Sequence, residues 1–190
     1  MKIHYAGKYS GNPDDLPYIE HEPGAVPFKE PQSTLALGII ANSIAVIVII
    51  ALYAFMFYLN GPSAISFPGT ILALATMFPH EFLHAICFKE DAYVYTNFKH
   101  GMLFVVGPER MSKSRFLFLG MLPNVVFGFI PFALYLINPN WNLLGTMGAL
   151  CIAMGAGDYI NVFNALTQMP RGSRCYMHKL NSFWYMPKQI

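Results

Sequence analysis

The stretch Phe78-Pro79-His80-Glu81-Phe82-Leu83-His84-Ala85 lies in the second half of an apolar run from Pro68 to Phe88. A helix turns 100° per residue, so histidines four apart face the same way and the glutamate between them lies beside any ion that both hold. Two imidazoles and a carboxylate at this spacing suit a zinc ion that activates water. An ionisable group at membrane depth costs roughly 2.5 kcal/mol or more when it stands alone, so a cluster of three needs partners, a water-filled cavity or a metal.

The composition fits that setting. The chain is 55% apolar and 12% charged, whereas soluble domains carry about a quarter charged residues. Mean hydropathy is +0.41. The aromatic residues, 16 Phe and 11 Tyr among them, supply surface for interfacial belts and contact with the lipid bilayer. A net charge of +2 argues against nucleic acid as a partner. The three cysteines contain no C-x-x-C pair, so they give neither a disulfide framework nor a thiolate zinc site. Cys87, on the motif face seven residues after His80, reads as a packing residue. Charges and prolines precede the first apolar run, unlike a cleavable signal peptide, so the first membrane segment is expected to target the chain.

Four apolar segments follow a polar tail. Residues 1–33 read as an irregular N-terminal tail, in which His21-Glu22 precedes the helix-breaking Pro23-Gly24 and so forms no second site. Thr34 to Leu59 is the first expected span, Pro68 to Phe88 the second, Phe116 to Ile137 the third and Trp141 to about Gln168 the fourth. The last two are joined by Asn138-Pro139-Asn140, which forces a helical hairpin. The expected fold class is an all-α integral membrane protein: a four-transmembrane-helix bundle over residues 34–169, with a C-terminal tail over residues 170–190. Between helices 2 and 3, the alternation through Ala92 to Thr96, a turn near Lys99-His100-Gly101 and the run Met102 to Val106 predict a β-hairpin-like loop. Such a ribbon is marginal alone, so it is expected to lean on the bundle or to take a third strand. An edge strand there suits a protease substrate bound as an extended chain, and a plain connector is the competing reading. Lys and Arg fall in the N-terminal tail, in residues 89–115 and after Pro170, which places both termini and the middle loop in the cytoplasm.

A catalytic zinc needs a third protein ligand. Asp158 is the only other acidic residue within the expected spans. It lies about ten residues before Gln168, against about eight for His80 before Phe88, so the depths match within about one helical turn. Gly155 and Gly157 remove side chains where the fourth helix must approach a neighbour. His100 and His178 rank lower, being outside the spans. Asn161, three residues from Asp158, suits a supporting or substrate hydrogen bond; Asn124 follows Pro123, where a kink can free a carbonyl and the amide can hold a peptide backbone. A helix-packing hydrogen bond competes with both roles. Ser112, Lys113 and Arg115 read as interfacial anchors.

The core Phe78 to Ala85, the third span with Pro123, Gly157-Asp158-Tyr159-Ile160-Asn161 and the tail from Met169-Pro170-Arg171-Gly172 through Phe183-Trp184-Tyr185 resemble the small bacterial membrane proteins called putative zincin peptidases. These in turn look distantly like site-2-type intramembrane metalloproteases, which carry their aspartate in a Leu-Asp-Gly context where this chain has Gly-Asp-Tyr. The resemblance implies a bacterial cytoplasmic membrane, a Zn²⁺ site of two histidines and a distant aspartate, and a peptide or membrane-protein substrate. The expected function is therefore an intramembrane zinc metallopeptidase with Glu81 as general base and His80, His84 and Asp158 as ligands. A non-proteolytic zinc-binding scaffold or regulator is the alternative, a metal-free polar helix interface is a third reading, and homo-oligomerisation is left open.

Overall fold

Ser33 begins the first long helix: its hydroxyl accepts the Ala36 N–H at 3.0 Å, and α1 runs Thr34–Asn60. The computed structural model describes residues 2–31, 33–97 and 102–188. Within it, two helices are long and apolar enough to cross a membrane, Leu35–Ala64 and Lys113–Ile137. None of the most apolar window of the first is buried by protein, as lipid-facing side chains require. The second comprises α4 (Lys113–Pro123), a π-helical turn (Asn124–Phe129) and α5 (Ile130–Ile137).

The expected all-α four-transmembrane-helix bundle is not what the chain forms. The second expected span is broken at Thr76 into α2 (Phe67–Ala75) and α3 (Met77–Ile86). Pro79 explains the break: it has no N–H to give to the Ala75 carbonyl and its ring crowds that oxygen, which kinks or breaks a helix. At the break the Thr76 hydroxyl donates to the Ala73 carbonyl at 2.6 Å. The fourth expected span is also two helices, α6 (Asn142–Met154) and α7 (Ala156–Gln168), bent by 53° at Gly155. A Cβ on Gly155 would collide with the Asn124 side chain, whereas one on Gly157 would meet nothing within 4 Å. Only the first of these glycines therefore serves the close approach expected of both.

The second departure is β-structure. The described residues include two sheets, and their strands come from segments read as tails and a loop. The chain divides into two compact units, residues 33–80 with 121–160, and residues 1–32 with 81–120 and 161–190. The first unit is helical. Its core packs Met56 of α1 and Ala64 against Phe132 and Tyr135 of α5 and Ala149 and Ile152 of α6. The α2 end is set by Ser66, whose N–H donates to the Thr146 hydroxyl at 2.9 Å and whose own hydroxyl accepts the Gly69 N–H.

The second unit holds both sheets. In one, β1 (Ile3–Lys8) runs parallel to β3 (Ala92–Asn97), which pairs antiparallel with β4 (Met102–Val106). The hairpin expected in the middle segment thus gains its third strand from residues read as an irregular tail. The turn expected near Lys99-His100-Gly101 lies outside the described residues. The other sheet has the order β2 (Val26–Pro27), β7 (Asn181–Tyr185), β6 (Arg174–His178), β5 (Met111–Ser112), all antiparallel. Phe28, Ala85, Phe88, Met111, Phe116 and Met169 close a core in this unit, with Cys175 fully buried among them.

If the Asn124 contact sets the α6–α7 bend, Gly155→Ala should destabilise the detergent-purified protein by about 1–3 kcal/mol. Gly157→Ala should stay within about 0.5 kcal/mol of the native chain. Thermal melts of the two variants check this, and equal stabilities would remove the contact as the cause.

Candidate metal centre

Helix α3 restarts directly after the Thr76 break, and the His80 N–H donates to the Thr76 carbonyl at 2.8 Å. His80 and Glu81 are half-buried and His84 is buried. Their ligand atoms all lie within 4.8 Å of one another, and among the described residues this is the group of three or more side chains able to hold a metal.

Two further contacts fix the histidines. His80 Nε2 is 3.2 Å from Asp158 Oδ2, with both side chains less than a fifth exposed. The Asn124 amide donates to the same oxygen at 2.7 Å. Asn124 has no exposed surface, and it reaches Asp158 from the first position of the π-helical turn, a kind of irregularity frequent at functional sites. His84 Nδ1 is 3.0 Å from the Leu119 carbonyl. A carbonyl can only accept, so Nδ1 carries the proton in this contact.

The nitrogen and oxygen donors of His80, Glu81 and His84 are of the types that fit zinc. Bonds of about 2.0–2.1 Å give a tetrahedron with edges of about 3.3–3.4 Å. His80 Nε2 and Asp158 Oδ2 thus already stand near the separation of two ligands of one ion. The histidine held through its other ring nitrogen is the usual second layer of such sites.

The other expected residues are elsewhere. Asn161 makes no side-chain hydrogen bond among the described residues. His178 donates from Nδ1 to the Ile19 carbonyl at 2.8 Å, and its ring stacks on His21 with centroids 4.3 Å apart. Glu22 pairs with Arg110, so the His21-Glu22 pair is absorbed by packing. His100 lies outside the described residues. Cys87 is a free cysteine whose thiol is not part of the metal-capable group.

Against known proteins, the family model described as Putative zincin peptidase matches residues 73–174, more than half of the 190-residue chain. The matched span contains α3, Asn124 and Asp158. No curated protein and no solved structure matches the chain.

The same span holds a constraint that the sequence reading missed. Glu109, almost fully buried, forms an ion pair with Arg115 and accepts the Lys89 and Glu90 N–H groups at 2.6 and 3.1 Å. Arg115 also donates to the Cys87 carbonyl at 2.7 Å. Carbonyls at a helix C-terminus have no intrahelical donor, so Arg115, expected to anchor at the membrane interface, instead ties down the end of α3. The charges at 109 and 115 are visible in the sequence, but no local signal joins them to residues 87–90.

Burial pushes the Glu109 carboxyl up, yet the Arg115 guanidinium and the two backbone N–H groups outweigh it and hold the group below its ordinary value. A carboxylate depressed on folding contributes stability above its unfolded pKa, and that stability is lost as pH falls through the folded one. Glu109→Gln should therefore cost about 3 kcal/mol at pH 7 by leaving Arg115 unpaired. The gap from the native protein should narrow as pH falls below about 4.3. Paired melts at pH 7 and pH 4 check both.

Proposed function

The chain belongs to the putative zincin peptidase family, and on that premise we propose that it is an intramembrane zinc metallopeptidase with His80, His84 and Asp158 as metal ligands and Glu81 as general base. The observation that carries the reading is the approach of Asp158 to His80: the acidic residue that α7 offers stands beside the first histidine of the motif at 3.2 Å.

Zinc held there supplies a Lewis acid that lowers the pKa of water and polarises a peptide carbonyl. The chain's own groups do the rest. Glu81, one residue after His80 and within 4.8 Å of both histidines' ligand nitrogens, takes the proton from the attacking water and returns it to the amine nitrogen as the C–N bond breaks. Asn124 holds one oxygen of Asp158, orienting the carboxylate, and the Leu119 carbonyl orients His84. β4 stands at an edge of its sheet, where an extended substrate can add a strand.

Strand pairing supports the membrane topology. β1 pairs with β3, and β2 and β5 join β6 and β7, so N-terminal, middle and C-terminal segments share sheets. A bilayer cannot divide hydrogen-bonded strands, so the three segments lie on one side, and the Lys and Arg bias makes that side cytoplasmic.

Metal analysis of the detergent-purified chain should give near one zinc, lost in His84→Ala and Asp158→Ala. Glu81→Gln should keep the zinc and lower cleavage of a quenched peptide mixture at least about a hundredfold; undiminished cleavage would take Glu81 out of the mechanism. For topology, single cysteines replacing Lys8, Lys89 and Lys188, in a chain without its native cysteines, should react with an impermeant maleimide only when the cytoplasmic face is opened. Labelling of any one from the outer face would overturn the shared-side reading.

A further inference from the structure

Pro123 lies inside the α4 end, fully buried, and the backbone after it leaves α-helical geometry for the π turn. In an α-helix the N–H of residue 123 would donate to the carbonyl of residue 119. Proline has no N–H and its ring crowds that carbonyl. The carbonyl in question is that of Leu119, and it is the one that receives His84 Nδ1 at 3.0 Å.

We propose that Pro123 is a positioning residue for His84: by withholding a backbone N–H from the Leu119 carbonyl, it leaves that acceptor to His84 and so fixes the imidazole tautomer that carries its proton on Nδ1. An alanine at 123 supplies the missing donor. The helix then competes with His84 for one oxygen, and the ring loses the contact that holds its Nδ1 proton. The part of this that concerns zinc rests on the metallopeptidase reading above; the tautomer does not.

Two changes at one position separate the absent N–H from the bend that any proline makes. Pro123→Ala restores the N–H. The α-hydroxy analogue of alanine, placed at 123 through an ester by nonsense suppression, has the same side chain and no N–H. In the full-length protein in detergent, ring ¹⁵N shifts of neutral His84 without metal should show the Nδ1–H tautomer in the native chain and the ester, and a mixture in Pro123→Ala. Zinc affinity, read by competition with a chelator, should weaken about tenfold in Pro123→Ala and return in the ester. A native tautomer and affinity in Pro123→Ala would overturn the proposal, as would equal impairment of alanine and ester, which would assign the effect to the ring. Should Pro123→Ala not fold, the ester decides alone, native-like behaviour supporting the proposal and a lost Nδ1–H tautomer refuting it. If the native chain binds no zinc, the metallopeptidase reading falls, while the ¹⁵N shifts still decide whether Pro123 sets the tautomer.

Discussion

In an apolar surrounding a helix must satisfy its own backbone, because no water is present to do so. Among the described residues, Pro79 and Pro123 interrupt that rule, and Gly155 marks a bend. Pro79 denies a donor to Ala75, so α3 restarts just before His80. Pro123 denies one to Leu119, whose carbonyl takes the His84 imidazole. Gly155 yields its Cβ space to Asn124, and the chain bends there shortly before Asp158. The regular helices supply the membrane-compatible frame; their defects supply the polar groups and the room that a metal site needs.

The charges in that region are held by mutual contact. A carboxylate within an apolar helix is costly unless partnered, and Asp158 has both the His80 imidazole and the Asn124 amide on one oxygen. The same pair of contacts would serve a metal-free polar interface. What favours a metal is the second histidine, which brings a third ligand atom within 4.8 Å of those of His80 and Glu81 and is oriented through Nδ1.

Outside the helices, the sheets do for the ends of the chain what packing does for the spans. β1, drawn from the first residues, gives the β3–β4 ribbon the third strand that such a ribbon needs for stability. Glu109 and Arg115 then fasten the exit of α3 through the Cys87 carbonyl and the N–H groups of Lys89 and Glu90. One end of the motif helix is thus set by a proline break and the other by a buried ion pair.

The grouping of His80, Glu81 and His84 was legible in the sequence because i to i+4 geometry is local, and the contact of Asp158 with His80 was suggested because so few acidic residues lie in apolar stretches. The long helices α1 and α4–α5 were legible for the same reason: hydropathy over some twenty residues is a local property. The breaks within the other two apolar runs were not read, although Pro79 and Gly155 stood in plain view, since hydropathy is blind to backbone donors and to which neighbour fills a glycine's space. The tails were misjudged because their strands are two to six residues long and pair with partners far away in sequence. By itself, then, the sequence determined the residue types of the group that could hold a metal, their spacing and the apolar setting. Only the tertiary structure decided that Asn124 rather than Asn161 reaches Asp158, that Leu119 holds His84, and that the tails are sheet, because each depends on which distant backbone group comes within hydrogen-bonding distance.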